Sequence, residues 1–281
     1  MRALYDVPAP AKLNLFLHVL GRRPDGYHLL QSAFMLIDWC DTLHFEKRPN
    51  GQISREDLGP ALPADDLIIR AARILQQHTG CTEGVHVSVE KRIPAEAGLG
   101  GGSSDAASCL LALNRLWNLG LSRQDLARLG LALGADVPFF VGGRNAWVEG
   151  IGESLTPLDL PEARFVVIKP PAGLETAKIF GAQELIRDTK PATIAVFAVD
   201  PYGFGQNDLQ PVASSLCPDV QSALDWLSAQ GLQGRMTGSG SAVFALVEGK
   251  FAPVQIPDHW LMRECCNMAV HPLIGWATSD N

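Results

Sequence analysis

The fold is decided by one stretch, Gly98-Leu99-Gly100-Gly101-Gly102-Ser103-Ser104, which packs four glycines and two serines between a predicted strand and a predicted helix. The strand comes first, because residues 85–91 alternate apolar and polar side chains with a period of two. The helix follows from Asp105 to Leu119, because apolar residues recur there on one helical face and Gly120 supplies a stop signal. The glycine loop therefore ends at a helix N-terminus.

A glycine loop in that place is suited to binding an anion. The first backbone N–H groups of a helix have no partner within the helix, and its macrodipole is positive there. Glycine tolerates positive φ and lets a ligand approach the backbone, while Ser103 or Ser104 could cap the helix or offer a hydroxyl to a phosphate or its metal. We therefore predict a phosphate site; the alternative is a tight strand-to-helix turn that binds nothing.

Two common glycine loops do not match this stretch. A P-loop needs a Gly-Lys-Ser/Thr sequence, and no lysine follows these glycines. A dinucleotide-binding fingerprint that starts at Gly98 needs glycine at position 103, where the chain has Ser103.

Composition limits the classes of protein that the chain can represent. Its 281 residues, 47% hydrophobic and 19% charged, predict a globular chain with one large or two ordinary domains. A net charge of −7 argues against nucleic-acid binding. The six cysteines form no CxxC pair and no zinc spacing, which predicts free thiols in a reducing cytoplasm. No window reaches the roughly 18 apolar residues of a spanning helix, so neither export nor membrane insertion is expected.

Candidate functional residues also lie near the start of the chain. A predicted strand over residues 10–20 places Lys12 and Asn14 on one face. A lone lysine at a strand start is more often a solvated edge residue. Tyr27 and His28 follow a polar turn; they could be ordinary surface, or they could stack on and hydrogen-bond a planar ring.

Further along, the pattern predicts capped helices, a buried acid and a second unit. Helices are predicted over residues 67–77, capped by an aspartate, and from Ser122, with Asp125 completing a capping box. Asp136 stands between a helix end and apolar residues, where it is either functional or bonded within a local turn.

Residues 150–163 are the expected domain boundary, and a helix is predicted over 176–186. The small-residue loop 234–241 could complete an anion site, although many hairpins look similar. The tail after Phe251 gives no clear pattern.

Taken together, four segments resemble the three motifs and the catalytic aspartate of the GHMP kinase superfamily of small-molecule kinases: residues 10–14, 98–104, 134–138 and 236–240. The likeness extends from about Ala9 to Val247. It implies a two-domain α+β fold, with an N-terminal α/β domain of the ribosomal protein S5 domain 2 type over residues 1–158. The C-terminal domain, over 159–281, would be ferredoxin-like α+β, with the active site between the two.

The resemblance also implies an activity and its cofactors. Residues 10–15, 26–28 and 134–138 match a branch of the family whose substrate carries a cytidine diphosphate group. Enzymes of this branch phosphorylate a hydroxyl of that substrate with ATP and Mg²⁺, on the non-mevalonate route to isoprenoid precursors. Alternatives are a sister kinase acting on a mevalonate- or homoserine-type substrate, and a dinucleotide-binding oxidoreductase. The protein would be a cytoplasmic monomer or homodimer without nucleic-acid or membrane partners.

By resemblance, each site residue has an expected role. Lys12 and Asp136 would be catalytic, with no metal ligand assigned. Two positions depart from the family pattern: Glu96 replaces a small residue before the glycine loop, and Asp66 replaces a common Asn near the adenine site. The ATP-binding residues would be Asp66, Pro94, Gly98, Leu99, Gly100, Gly101, Gly102, Ser103 and Ser104, and the substrate-binding residues Asn14, Tyr27, His28, Thr176, Phe180, Thr237 and Gly238.

Overall fold

The computed structural model describes residues 1–252 and 256–280 of the chain. In chain order the elements are β1 (Ala3–Arg22), β2 (His28–Arg48), β3 (Ile53–Asp57), α1 (Leu67–Thr79), β4 (Gly84–Glu90), α2 (Gly101–Leu116), α3 (Arg123–Leu131), α4 (Val137–Gly142), β5 (Ala146–Glu149), β6 (Ser154–Pro157), β7 (Arg164–Lys169), α5 (Thr176–Gly181), α6 (Ile194–Phe197), α7 (Gln210–Leu216), α8 (Pro218–Ala229), β8 (Arg235–Met236), β9 (Val243–Val247), β10 (Leu261–Met268) and a 3-10 helix (Thr278–Asp280).

The long strand β2 is the centre of the sheet. It pairs antiparallel with β1 along most of its length and with β4, β5 and β10 along parts of it. The main path runs β3-β4-β2-β10-β7-β9-β8, and among the strands of the described residues only β3 and β4 pair in parallel. Because β10 joins β2 to β7, the strands of the first and second halves of the chain form one hydrogen-bonded sheet.

β1 is longer and more deeply buried than its sequence predicts. Leu13 and Leu15 on one face and Lys12 and Asn14 on the other are all buried. The reason is that β1 is covered from two sides. Helix α2 packs on it, and Ala106 of this helix belongs to one core cluster. Leu13 of β1 belongs to a second core cluster, together with Phe165 from the second half of the chain. The expectation that Lys12 is a solvated edge residue is therefore wrong.

Helix starts follow the predicted capping chemistry in two cases. The Asp66 side chain accepts from the Ile69 N–H and begins α1, and Ser122 with Asp125 forms the predicted capping box of α3. In contrast, α2 begins at Gly101, four residues before the predicted start, and ends at Leu116 instead of the predicted Leu119. Two glycines and two serines of the loop therefore form the first turn of this helix.

In the second half, one helix is shorter than its sequence predicts, and one strand lies where the sequence predicted no element. α5 ends at Gly181 instead of 186, and β10 lies in the unassigned tail, paired with β7 and β2. Beyond β10 the chain returns to the first half, where Asp280 pairs with Arg123. The division at residues 158 and 159 stays a prediction.

Candidate active site

A cavity of about 720 Å³ opens where the glycine loop, β1 and the second half of the chain meet. That size is in the range of small-molecule sites. Most of the residues assigned by resemblance line it, and they come from both halves of the chain: Lys12, Asn14, Asp66, Pro94, Gly98, Leu99, Gly100, Gly101, Gly102, Ser103, Asp136, Thr176, Phe180 and Gly238. Four others, Tyr27, His28, Ser104 and Thr237, lie outside the lining.

The glycine loop needs its glycines for backbone geometry. Gly98 and Gly100 adopt φ of +72° and +71°, a conformation that L side chains rarely adopt. A Cβ at Gly100 would lie 3.0 Å from the Phe140 ring and 3.3 Å from Lys12 Cε. Gly100 is also the N-cap of α2, and no side chain caps this helix. Its first N–H groups are thus left for a ligand, as predicted for a phosphate site.

The expectation that Ser103 or Ser104 caps α2 is wrong, because the helix begins before them. Ser104 instead is fully buried and donates its hydroxyl to the Pro10 carbonyl at 2.6 Å. Ser103 lines the cavity. One serine therefore fixes α2 to β1, while the other faces the space where a ligand would bind.

Lys12 brings β1 against the glycine loop. Its backbone N–H donates to the Leu99 carbonyl at 3.0 Å, and its ammonium donates to Asn14 Oδ1 and lies 4.8 Å from the centroid of the Phe34 ring. The residue is only 3% exposed. Burial lowers the pKa of Lys12, and the Asp136 carboxylate opposes that change.

Asp136 faces Lys12 across the cavity. Lys12 Nζ and Asp136 Oδ2 are 3.7 Å apart, although the two residues are more than a hundred positions apart in the chain. Asp136 is the N-cap residue of the short helix α4, yet its side chain makes no capping hydrogen bond and is 31% exposed. The carboxylate is thus available to a bound molecule instead of serving the helix.

Asn14 links β1 to the second small-residue loop. Its backbone N–H donates to Thr237 Oγ1 at 2.9 Å, and its Nδ2 donates to Ser32 Oγ at 3.0 Å. Asn207, buried beside them, donates through Nδ2 to the Met236 and Gly238 carbonyls, both at 2.8 Å. Sequence reasoning missed Ser32 and Asn207, because neither belongs to a recognisable motif.

The two small-residue loops touch each other directly. A Cβ built at Gly98 would overlap the Thr237 carbonyl oxygen and lie 3.0 Å from the Gly240 nitrogen. A Cβ at Gly238, whose φ is +55°, would lie 2.9 Å from the Gly98 oxygen. Only glycine fits at this junction, so the second loop completes the wall beside the glycine loop.

The other end of the cavity is aromatic. Phe180 lines it, and the His28 ring lies against Phe180 with centroids 4.9 Å apart and planes tilted by 32°. Thr176 Oγ1 is 2.7 Å from Ser239 Oγ. Tyr27 is 60% exposed and is not part of the lining. The structure thus brings His28 against Phe180, which lines the cavity together with Thr176, but it leaves Tyr27 exposed outside the lining.

Two of the carboxylates that face the cavity are already paired. Asp66 Oδ1 is 2.6 Å from Arg55 Nη1 while it also caps α1, and Asp105 Oδ2 is 2.5 Å from Lys91 Nζ. Lys91 also pairs with the fully buried Asp41. These partners offset much of the negative charge near the glycine loop. No sequence pattern predicted the Lys91 cluster.

Glu96, the residue that departs from the family pattern, adopts a φ of +50°. Its side chain packs against Gly173, and its carbonyl accepts from the Ser241 N–H at 3.1 Å. Glu96 therefore connects the entry of the glycine loop to the second half of the chain.

Within residues 1–252 and 256–280, no group of three or more His, Cys, Asp or Glu side chains is arranged to hold a metal ion. In the same ranges, no helix has the length and apolar character needed to cross a membrane.

Comparison with known proteins identifies the family. The model of the GHMP kinases N terminal domain matches residues 66–144, and that of the GHMP kinases C terminal matches residues 201–261. These two segments contain the glycine loop, Asp136 and the second small-residue loop. The family resemblance and the two-domain fold predicted from the sequence are therefore confirmed.

Full-length relatives narrow the assignment. The 4-diphosphocytidyl-2-C-methyl-D-erythritol kinase of Paracidovorax citrulli is 62% identical and that of Delftia acidovorans 64%, each over 100% of both chains. A crystal structure of 4-(cytidine 5'-diphospho)-2C-methyl-D-erythritol kinase superposes with a TM-score of 0.78 at 35% identity, covering 92% of this chain and 98% of that one. The chain belongs to the 4-diphosphocytidyl-2-C-methyl-D-erythritol kinase family of the GHMP kinases.

Proposed function

We propose that this kinase transfers the γ-phosphoryl group of ATP to the 2-hydroxyl of 4-diphosphocytidyl-2-C-methyl-D-erythritol. The full-length relatives carry the name of this activity, which supports it over the mevalonate- and homoserine-type alternatives. A dinucleotide-dependent oxidoreductase is excluded by the kinase family of the chain.

One observation carries the proposal for the site: Lys12 Nζ lies 3.7 Å from Asp136 Oδ2 in the cavity that the glycine loop also lines. Phosphoryl transfer proceeds through a loose transition state, so catalysis consists mainly of positioning and charge stabilisation. A cation, a carboxylate and a set of free N–H groups around one cavity provide these functions.

In the proposed reaction the substrate hydroxyl attacks the γ-phosphorus. A new P–O bond forms, the bond between the γ-phosphorus and the β–γ bridging oxygen breaks, and ADP leaves. Asp136 orients the hydroxyl and accepts its proton, because its carboxylate is exposed to the cavity and makes no competing capping bond. Lys12 stabilises the negative charge that develops on the transferred group.

The glycine loop binds the nucleotide. The N–H groups of Gly101, Gly102 and Ser103 stand in the uncapped first turn of α2, where the helix dipole favours an anion. The β- and γ-phosphates would lie there, with the adenosine toward Pro94 and Asp66, which line the same cavity.

The residues present also fit Mg²⁺ bound together with ATP. In nucleotide sites this ion is held largely by phosphate oxygens and water, with only one or two protein oxygens. The Ser103 hydroxyl and the Asp136 carboxylate face the cavity and would supply those protein oxygens. When bound, the ion neutralises phosphate charge and so favours departure of ADP.

The aromatic end of the cavity would hold the cytosine ring. Phe180 provides an apolar face there, and His28 beside it provides a polar ring edge. Thr237 is fully buried and would act through Asn14, whose backbone it binds. We also propose a cytoplasmic location, which the six free cysteines support.

A substrate panel tests the proposal. ADP release is measured with ATP, Mg²⁺ and either 4-diphosphocytidyl-2-C-methyl-D-erythritol, mevalonate or homoserine. We expect turnover with the cytidyl substrate alone, and a new phosphomonoester signal in the ³¹P NMR spectrum of the product. Turnover of mevalonate or homoserine with an equal or higher kcat/KM would contradict the assignment, as would no turnover of the cytidyl substrate.

A further inference from the structure

Arg187 connects the two chain segments that form the aromatic end of the cavity. Its Nε donates to His28 Nε2 at 3.0 Å, across 159 positions of the chain. Its two terminal nitrogens donate to the carbonyls of Leu185 at 2.9 Å, Phe180 at 3.0 Å and Ala182 at 2.6 Å. One guanidinium thus fixes the end of α5, which carries Phe180, to the first residue of β2.

The hydrogen bond from Arg187 determines where the proton of His28 lies. A guanidinium has five donors and no acceptor, and it stays charged at any physiological pH. His28 Nε2 must therefore accept, which places the proton of the neutral ring on Nδ1. Burial lowers the pKa of His28, and the cations Arg187 and Arg22 lower it further, so the ring stays neutral.

The fixed proton gives His28 a defined recognition chemistry. Among residues 1–252 and 256–280, the hydrogen bond of the His28 ring is the one at Nε2, so Nδ1 is left for a ligand, and the residue keeps 9% of its surface exposed beside Phe180. An N–H at this position can pair with N3 or O2 of cytosine, which are both acceptors. It cannot pair with N3 of uracil, which carries a hydrogen. In the other tautomer Nδ1 carries no hydrogen, so it would accept from the N3–H of uracil and could not pair with N3 of cytosine.

We propose that Arg187 is a positioning residue that sets the base specificity of the enzyme, because it holds His28 as an Nδ1–H donor against Phe180. The inference rests on the proposed function, since it requires a substrate with a pyrimidine ring at this end of the cavity. Arg187 itself need not touch the substrate.

The test combines NMR with kinetics on the full chain. Two-bond ¹H–¹⁵N spectra of histidine-labelled protein report which ring nitrogen carries the proton, and His28→Gln identifies the His28 signals. Arg187→Met removes every side-chain donor, and Arg187→Lys keeps the charge and an N–H donor group but not the planar guanidinium. Lys190→Met, an exposed change three residues away, is the matched control for loss of a positive charge. Rates are measured with the cytidyl substrate and its uridyl counterpart.

We expect wild-type His28 to be the Nδ1–H form and Arg187→Met to show a mixture of tautomers. The KM for the cytidyl substrate should rise about fivefold to tenfold in Arg187→Met, as for one lost hydrogen bond, and the preference over the uridyl substrate should fall. The KM for ATP and kcat should change less than twofold. Arg187→Lys should recover much of the tautomer preference, and Lys190→Met should resemble wild type.

Three results would overturn the proposal. The first is an Nε2–H form of His28 in the wild-type enzyme, a result that does not depend on any variant folding. The second is an unchanged preference for the cytidyl substrate in Arg187→Met. The third is an equal impairment of kcat and of both KM values in Arg187→Met, which would mark a merely structural role. Failure of the proposed function is distinguishable, because it appears as an absence of turnover with the cytidyl substrate in wild type, whatever the tautomer of His28.

Discussion

Gly98→Ala should impair nucleotide use far more than it impairs stability. The new Cβ would impose a side chain on a residue with φ of +72°, which costs about 1–2 kcal/mol. It would also overlap the Thr237 carbonyl oxygen, so the two small-residue loops must separate by about 1 Å to restore ordinary contact distances. A misplacement of about 1 Å at a reacting site costs roughly a hundredfold in rate. We therefore expect kcat/KM for ATP to fall about a hundredfold.

A second glycine separates the cost of the dihedral angle from that of the collision. Gly120 has a φ of +70° and nothing within 4 Å of a built Cβ, so Gly120→Ala should lose about 1–2 kcal/mol of unfolding free energy and keep its activity. ADP release over a range of ATP concentrations and urea unfolding are measured for both variants. If kcat/KM of Gly98→Ala stays within threefold of that of Gly120→Ala, the contact between the loops does not control the site.

Two further predictions concern the substrate and acid stability. Phe180→Ala should raise the KM for the cytidyl substrate by roughly fivefold to 150-fold, which corresponds to the loss of about 1–3 kcal/mol of stacking. Tyr27→Ala should raise it less, because Phe180 lines the cavity and Tyr27 does not; initial rates check this, and an unchanged KM in Phe180→Ala would count against stacking. Burial lowers the pKa of His271 to about 3 in the folded protein, whereas a histidine in the unfolded chain has a pKa of about 6.5. Between these two values the imidazole is protonated in the unfolded chain and neutral in the folded one. The free energy of unfolding should therefore fall as the pH drops, by about 1.4 kcal/mol per pH unit. Urea unfolding at pH 7, 6 and 5 should show a smaller pH dependence in His271→Gln than in wild type, whereas the exposed control His78→Gln should keep the wild-type dependence. Equal pH dependence in wild type and His271→Gln would refute the role of His271 in acid stability.

Much of the site was predictable because local chemistry determines it. A glycine run before an amphipathic helix indicates an anion site, and the structure leaves the first turn of α2 uncapped at Gly100. Period-two alternation predicted a strand over residues 85–91, where β4 spans Gly84–Glu90, and the Ser122 and Asp125 pair predicted the start of α3. That Lys12 and Asp136 are neighbours followed only from the family resemblance, because no local pattern relates two residues so distant in the chain.

What the sequence did not reveal depends on contacts between distant segments. β10 has no regular alternation, because its residues pair with β7 and β2 at the seam between the two halves, where burial does not follow a period of two. Lys12 is deeply buried because residues distant in the chain cover it: its N–H binds the Leu99 carbonyl, and its ammonium lies 4.8 Å from the centroid of the Phe34 ring. The link between Arg187 and His28 likewise joins residues with no common motif.

The most direct test of the central claim is the turnover of Asp136→Asn, which removes the carboxylate charge while keeping the shape of the side chain. The exposed change Asp65→Asn serves as its control. With saturating ATP and cytidyl substrate, the account predicts that kcat of Asp136→Asn falls by about a hundredfold or more while its melting temperature stays near that of wild type. A folded Asp136→Asn enzyme with near-wild-type kcat would contradict the claim that Lys12 and Asp136 carry out the transfer.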